Sequence, residues 1–178
     1  MLQSNPSLLH GPRVYFRALE PSDVDTLYEW ENDPEVWGVG STLAPYSQAQ
    51  LLEYASTYDA DIYAAKQLRL MIVLKDGDVT IGTADLFDFD PANSRSAVGI
   101  LIAPDYRNQG LATEALNLLG DYCRTVYSLH QLYAIVGAYN PLSRKLFEKC
   151  GYSCSGRLQS WIRQGGSYSD AYFYQRML

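Results

Sequence analysis

Residues 98–116 decide the fold, and they read VGILIAPDYRNQGLATEAL. The segment opens with a short apolar run over residues 98–103 that contains β-branched side chains and ends at Pro104, which is typical of a buried strand. From Leu111 to Val126, apolar residues then recur at helical spacing. The segment therefore predicts a strand, a tight polar turn and an amphipathic helix.

The polar turn has the properties of an anion-binding site. A helix begins with backbone N–H groups that lack partners within the helix, and the helix dipole adds partial positive charge there. Gly110 lets a phosphate approach the backbone, the small Ala112 keeps that approach open, and Arg107 adds a cation. On spacing alone, an ordinary strand-to-helix connection explains these residues equally well, because glycine-containing turns of this kind are common.

Three blocks of the sequence resemble the GNAT family of N-acetyltransferases. Arg107, Gly110 and Ala112 occupy the defined positions of the family's acetyl-CoA motif, Arg/Gln-x-x-Gly-x-Gly/Ala. Residues 140–152 resemble the family's later cofactor segment, and residues 13–24 resemble its first strand and first helix. The likeness covers nearly the whole chain. It is closest to the branch that contains spermidine acetyltransferases and ribosomal-protein alanine acetyltransferases.

The order of the predicted elements indicates the fold class. Strands come first, and a strand, a helix, a strand and a helix follow, which implies a mixed sheet with helices on both faces. The resemblance implies a single-domain α/β fold of the GNAT type, with a mostly antiparallel sheet and a splayed central strand pair. The cofactor would lie in the V between strands 98–103 and 131–138. Residues 1–10 read as a lead-in, and residues 11–178 as the acetyltransferase domain.

Capping, turn and stop signals predict the remaining elements. Residues 35–45 read as a loop or an irregular helix. The other predicted elements are a helix from Ser47 to about Thr57 with Leu51, Leu52 and Ala55 inward, a hairpin across residues 75–78, a helix from Asn140 to about Lys149, and a final hairpin across residues 164–166.

Composition excludes several classes of protein. The chain has 178 residues, of which 47% are hydrophobic, and this suits one domain with a core better than a disordered chain. The net charge of −6 argues against nucleic acid and allows a cationic partner, although many soluble proteins carry such a charge. No apolar run approaches the roughly 18 residues of a membrane span, and no signal peptide is recognisable. We expect a cytoplasmic protein with no membrane or nucleic acid partner.

Cysteine and histidine usage argues against a disulfide framework and a metal site. The three cysteines are an odd number, and Cys150 and Cys154 lack the spacing and the further ligands of a zinc site. Cys123 falls on the apolar helix, where core packing is its expected role. The two histidines lie far apart in the sequence. We therefore predict no metal.

The resemblance implies acetyl-CoA as the co-substrate and assigns its contacts. Main-chain groups of the strand would hold pantetheine and polarise the thioester, which places Ile100, Leu101 and Ile102 along the cofactor. The pyrophosphate would lie on the turn, at Arg107, Asn108, Gln109, Gly110, Leu111 and Ala112. The later helix would add Ser143 near the thiol, Lys145 with Arg144 toward the nucleotide phosphate, and Phe147. Asn140 would bind the pantetheine arm, although a helix cap explains it equally well.

One departure from the family pattern concerns the acid that protonates the leaving thiolate. Many relatives carry a tyrosine at the position of Phe147, and phenylalanine cannot donate a proton. Ser143, Tyr139 or water are the alternative donors, unless the thiolate leaves unaided.

A second departure concerns the general base. Many relatives carry a glutamate at the position of Ala97, beside the acceptor. The best remaining candidate is Asp85, which matches an acidic position in spermidine-acetylating relatives, and Asp88 is second. Either can instead be an ordinary exposed strand aspartate, and a base that acts through water would also suffice.

The region between the first two predicted helices often shapes the acceptor pocket in this family. Acidic and aromatic side chains there would suit an ammonium ligand, whereas a solvated helix face and a packed tryptophan explain them as well. The set comprises Glu29, Glu31, Asp33, Glu35, Trp37 and Glu53.

Two functions of different class follow. The first is an enzyme that transfers acetyl from acetyl-CoA to a primary amine by direct attack in a ternary complex, the acceptor being a polyamine, a protein N-terminal alanine or a small-molecule amine. The alternative is a non-catalytic acyl-CoA-binding or regulatory protein on the same fold. Phe147 and Ala97 support this alternative, because each replaces a side chain that many relatives use in catalysis. A dinucleotide-binding fold is disfavoured because this chain lacks the Gly-x-Gly-x-x-Gly turn near its start. The resemblance also allows a homodimer or a larger homo-oligomer.

Overall fold

One seven-stranded sheet organises the fold. The computed structural model describes residues 6–37, 44–164 and 166–178. The strands are β1 (Val14–Ala18), β2 (Leu68–Leu74), β3 (Val79–Asp90), β4 (Arg95–Ile102), β5 (Gln131–Gly137), β6 (Ser153–Gln164) and β7 (Ser167–Met177). They lie in the order β1-β2-β3-β4-β5-β7-β6.

Six α-helices are present among the described residues. They are α1 (Val24–Glu31), α2 (Pro34–Trp37), α3 (Gln48–Ser56), α4 (Ile62–Ala65), α5 (Leu111–Val126) and α6 (Pro141–Lys149). Short 3₁₀ turns form at Pro6–Leu9, Pro21–Asp23 and Pro104–Tyr106.

The two faces of the sheet carry separate cores. Alternate residues of a strand project to opposite faces, so Leu70 and Ile72 of β2 belong to one core and Met71 to the other. The larger core packs against α5 and α6, and the smaller core packs under α1 and α3. The predicted fold class, a mixed α/β sheet with helices on both faces, is confirmed.

The sheet opens between β4 and β5, its only parallel pair among the described strands. Pairing runs over three positions, from Arg95 opposite Gln131 to Ala97 opposite Tyr133. Beyond these positions β4 continues to Ile102 and stays paired with β3, while β5 continues to Gly137 paired with β7. The two strands therefore separate into a V, as the resemblance to the GNAT family implies.

Several sequence predictions need correction. Leu52 is 48% exposed, whereas Leu51 and Ala55 are buried as predicted, because the inward stripe of α3 is narrow. The central strand begins at Arg95, three residues before the predicted start, since its polar first residues pair with both neighbouring strands. The short helix α4 was not predicted. Within the predicted loop over residues 35–45, residues 38–43 lie outside the described ranges.

Part of the predicted lead-in is ordered against the domain. Residues 1–5 lie outside the described ranges, but Pro6–Leu9 forms a 3₁₀ turn. Leu9 packs against the larger core, and the ring of His10 stacks on that of Tyr15 with centroids 5.1 Å apart. The first described residues thus cover the edge of β1. The domain boundary at residue 11 stays a prediction.

Candidate active site

The polar turn folds as the sequence predicts and delivers the start of α5 to the open end of the V. Asn108 and Gly110 both adopt left-handed backbone conformations, with φ of 61° and 78°. Gly110 is the residue before the helix and has no side chain to cap it. The first N–H groups of α5 are therefore left for another acceptor, which is what anion binding at a helix N-terminus requires.

Side chains of the turn hold its shape. Arg107 donates from Nε to the carbonyl oxygen of Ile102, 2.9 Å away, and so connects the turn to the end of β4. Gln109 donates from Nε2 to the carbonyl oxygen of Asp105 at 3.0 Å. Arg107 therefore helps to hold the turn in place through its hydrogen bond to Ile102. Its contact with the cofactor stays a prediction.

A brace between β1 and α5, formed by Arg13 and Glu114, was missed by the sequence reasoning. The Glu114 carboxylate accepts hydrogen bonds from the backbone N–H groups of Arg13 and Val14, at 2.6 and 3.0 Å, and from Arg13 Nε at 2.9 Å. Arg13 Nη1 also donates to the carbonyl oxygen of Gln109 at 3.0 Å. No sequence signal linked these residues, since they lie 101 positions apart.

Glu114 is held ionised by the brace. Burial by itself would raise the pKa of Glu114, but the hydrogen bonds from the amides of Arg13 and Val14 and from the Arg13 side chain outweigh burial, so the pKa lies below its ordinary value. The guanidinium of Arg13 lies beside Gly110, since a Cβ at Gly110 would sit 3.5 Å from Arg13 Nη2. The guanidinium of Arg13 thus lies beside the turn, with its charge balanced by Glu114.

The predicted pantetheine strand forms one wall of the V. Ile100 and Leu101 are half-buried and Ile102 is buried. These residues pair with β3 on one side only, so the backbone groups that face β5 have no strand partner within the described chain. Unpaired strand groups of this kind can bind an extended amide chain.

The start of α6 forms the other rim of the V. Asn140 accepts a hydrogen bond from the Ser143 backbone N–H at 3.0 Å, so its capping role is confirmed. Ser143 is half-buried and Lys145 is exposed. Arg144 turns away onto β7, with its guanidinium carbon 3.9 Å from the centroid of the Tyr172 ring. Of the two cations expected near the nucleotide phosphate, Lys145 is the more exposed.

Phe147 lies in the larger core. Its side chain is 3% exposed, and its ring meets Tyr152 edge to face with centroids 4.9 Å apart. Tyr174 stacks beside it at 6.4 Å. Phe147 therefore packs the inner side of α6. Its contact with the cofactor stays a prediction.

On the opposite face of the sheet, Asp85 joins an ion-pair cluster centred on Arg69. Arg69 donates from Nε to Asp85 Oδ1 at 2.6 Å and from Nη1 to Glu31 Oε1 at 2.6 Å. Thr83 Oγ1 donates to Asp85 Oδ2 at 3.2 Å. The cluster joins α1, β2 and β3. Asp85 also lies opposite Gly99 of β4, which is the wall of the V.

The charges of the cluster stabilise each other. The side chains of Arg69, Glu31 and Asp85 are 21%, 19% and 23% exposed. Burial by itself would lower the pKa of Arg69, but Asp85 and then Glu31 raise it above its ordinary value. One guanidinium between two carboxylates leaves one negative charge on this face.

Aromatic side chains surround the cluster. The Tyr58 hydroxyl accepts a hydrogen bond from the Arg69 backbone N–H, and the Tyr54 ring meets that of Tyr58 edge to face at 5.5 Å. Burial raises the pKa of Tyr54 to about 12, so its phenol is neutral near pH 7. Acidic and aromatic groups therefore meet beneath α1 and α3, where the guanidinium carbon of Arg69 already lies 6.0 Å from the centroid of the Tyr54 ring. Binding of an ammonium ligand at this place stays a prediction.

The remaining acidic candidates divide between the two interpretations, an ammonium site and a solvated helix face. Glu29 and Glu53 are exposed, which is the solvated-face reading, whereas Glu31 and Asp33 are half-buried. The side chains of Glu35 and Trp37 lie outside what the structure describes.

Asp88, the second candidate base, lies on β3, and Ala97, where many relatives carry a glutamate, lies on the neighbouring strand β4. Asp88 is exposed, with a left-handed φ of 49°. Ala97 is buried and pairs with Phe87 on one side and Tyr133 on the other.

The described parts of the chain hold neither a cluster of metal-ligating side chains nor a membrane-spanning helix. No group of three or more His, Cys, Asp or Glu side chains there is arranged to hold a metal ion. None of the helices in those ranges is long and apolar enough to span a bilayer.

Comparison with known proteins adds independent findings. A family model described as an acetyltransferase (GNAT) domain matches residues 13–153. A spermidine N(1)-acetyltransferase from Escherichia coli (strain K12) is 30% identical over 158 residues, which cover 89% of this chain and 82% of the relative. The uncharacterized N-acetyltransferase p20 from Bacillus licheniformis is 27% identical over 167 residues, which cover 93% of each chain.

A solved structure shares the fold. It is the spermidine N-acetyltransferase from Vibrio cholerae in complex with CoA and spermine, which matches with a TM-score of 0.82 at 25% identity. The match covers 93% of this chain and 95% of that one. The family match, the related sequences and the opening between β4 and β5 agree, so this chain belongs to the GNAT family and is an N-acetyltransferase.

Proposed function

We propose that this enzyme transfers the acetyl group of acetyl-CoA to a primary amine of a polyamine such as spermidine. The observation that carries the proposal is the V between β4 and β5, which runs from the anion-binding turn to the face that holds Asp85. The relatives named for spermidine and the net charge of −6 support a cationic acceptor over an N-terminal alanine or a small neutral amine.

The cofactor half of the site binds through main-chain atoms. The turn over residues 107–112 would hold the pyrophosphate, with Arg107 and Arg13 as the nearby cations. The β4 backbone at Ile100, Leu101 and Ile102 would hold pantetheine and polarise the thioester carbonyl as negative charge develops on its oxygen. Asn140, Ser143 and Lys145 would line the opposite rim from α6.

The acceptor half would bind and orient the amine through Asp85. Both carboxylate oxygens already accept hydrogen bonds, from Arg69 and Thr83, so direct removal of a proton would disturb existing bonds. Asp85 therefore suits an ammonium anchor that also orders a water molecule, and this water would take the proton before direct attack in a ternary complex.

The first experiment is release of free thiol from acetyl-CoA with a panel of amines. The panel contains spermidine, spermine, a basic peptide that begins with alanine, and ethanolamine. We expect release with spermidine and spermine. Release only with the peptide or ethanolamine would contradict the polyamine assignment, and binding of acetyl-CoA without release from any amine would favour the binding-protein alternative.

The second experiment replaces Asp85. In Asp85→Asn, we expect kcat/KM for spermidine to fall roughly 100-fold with the KM for acetyl-CoA unchanged, because a positioned general base or anchor contributes about this much. Asp88→Asn tests the second candidate on the same strand, and Asp121→Asn on α5, whose ion pair with Arg124 is largely exposed, is the matched control. A fall in Asp88→Asn alone would move the role to Asp88.

Oligomeric state and location in the cell stay predictions. Light scattering of the purified chain would establish whether it forms the expected homodimer or a larger ring.

A further inference from the structure

The reaction proposed above needs a proton for the leaving thiolate, and this inference rests on that reaction. Phe147 occupies the position at which many relatives place a tyrosine, and it is buried in the core without a hydroxyl. The alternatives are Ser143, Tyr139 or water as the donor, or a thiolate that leaves unaided.

The ring of Tyr139 lies in unusually close contact with Gly137, at the end of the β5 wall of the V. A Cβ built on Gly137, the last residue of β5, would lie 2.3 Å from Cε1 and 2.6 Å from Cζ of the Tyr139 ring. The ring therefore occupies the place that any other side chain at position 137 would fill. Ala171, which pairs with Gly137 on β7, is fully buried.

Counting from the last paired residues places this ring across from the C-terminal end of β4. Ala97 is the last residue of β4 paired with β5, and its partner is Tyr133. Four residues further along each strand are Leu101 and Gly137, and an even step keeps both on the face they share with Ala97 and Tyr133. The Tyr139 ring is thus level with Leu101, where the resemblance places pantetheine.

Tyr139 is in the protonated form that a proton donor needs. Burial raises the pKa of Tyr139 above its ordinary value, so the phenol carries its proton near neutral pH. A phenol that is only half-buried can also exchange its proton with solvent between turnovers.

We propose that Tyr139 donates the proton that the departing thiolate takes. The amine nitrogen forms a bond to the thioester carbon, and the carbon–sulfur bond then breaks as sulfur receives the Tyr139 hydroxyl proton. The nitrogen releases one proton to water, and water returns one to the phenolate. The products are the amide and the free thiol, with no net change at the enzyme.

Two variants test the role from different directions. Tyr139→Phe removes only the hydroxyl, and we expect kcat to fall roughly 100-fold while the KM values for acetyl-CoA and for the amine stay unchanged. Gly137→Ala keeps the hydroxyl but displaces the ring, so it should lower kcat in the same way. Gly156→Ala on β6, where a new Cβ meets nothing within 4 Å, and Tyr168→Phe, which is 65% exposed, are the matched controls.

The outcomes separate this role from its alternatives. Wild-type kcat in Tyr139→Phe would overturn it and favour Ser143 or water. Weaker acetyl-CoA binding by calorimetry, with kcat at saturation intact, would also overturn it, because the ring would then serve only in packing. Absence of turnover by the unmodified protein would overturn the proposed function, and this role with it.

Discussion

The two halves of the proposed site, a cofactor side and an acceptor side, are built differently. On the cofactor side, a continuous turn over residues 107–112 presents main-chain groups, and one pair, Arg13 and Glu114, braces it to β1. On the acceptor side, Arg69, Glu31 and Asp85 come from β2, α1 and β3 and depend on one another for charge balance. The cofactor side should therefore tolerate loss of one side chain better than the acceptor side does.

The difference follows from what each half must recognise. A pyrophosphate can be bound by backbone N–H groups, which every residue supplies, so the sequence requirement is short and local. An amine is recognised by carboxylates and aromatic rings, and these side chains must be brought together by the tertiary fold. Substitutions can test this contrast at both ends.

The largest effect is expected at Arg69. Arg69→Met leaves two half-buried carboxylates without their partner, so we expect the free energy of unfolding to drop by about 2–3 kcal/mol, somewhat less than for a fully buried pair. Urea denaturation measures the change. The control is Arg95→Gln, which breaks the more exposed ion pair with Asp90. An equally small change in both variants would contradict the central role of Arg69.

A smaller effect is expected at Gly110. Gly110→Ala forces an alanine into a left-handed conformation that costs about 1–2 kcal/mol, so acetyl-CoA affinity should fall by roughly tenfold if the turn relaxes away from it. Calorimetric titration with acetyl-CoA measures the loss, and Gly156→Ala serves again as the control. Unchanged affinity would show that the turn does not need this conformation for binding.

The smallest effect is expected at Glu114. Glu114→Gln keeps the side-chain volume but weakens the hydrogen bonds to Arg13 and Val14, so stability should fall by about 1 kcal/mol near neutral pH. Arg124→Gln, at the other end of α5, is the matched control because its ion pair with Asp121 is largely exposed.

The contribution of Glu114 should also depend on pH. The pKa of Glu114 is lower in the folded protein than in the unfolded chain, so its stabilisation is complete above the unfolded value of about 4.3 and is lost as the pH falls through the folded value. The stability difference between the wild type and Glu114→Gln should therefore shrink in acid. A difference that stays constant from neutral to acidic pH would contradict the ionised brace.

Much of the fold could be predicted because its signals are local. The helical spacing over residues 111–126, the caps at Ser47 and Asn140, and the hairpin turn over residues 75–78 each lie within a few residues of the element they define. Leu52 was misplaced because the period of a short helix does not show how wide its buried stripe will be.

The candidate site was predictable only in part. The turn at Gly110 was recognised from its motif, and Asp85 was singled out as a base without its partner Arg69, which lies 16 residues away on another strand. Arg13 shows the same limit, because its partners Gln109 and Glu114 lie 96 and 101 positions away along the chain. Tyr139 was named from the sequence as an alternative proton donor, but the contact of its ring with Gly137 is visible only in the structure.

The sequence by itself determined most of the elements, the polar turn before α5 and the family, because turns, caps and periodic patterns act over a few neighbouring residues. Only the tertiary structure decided how far β4 and β5 stay paired, which carboxylates Arg69 balances, and that Glu114 braces Arg13 across 101 positions. These contacts depend on strand register and on close packing between distant segments, and no local pattern encodes either of them.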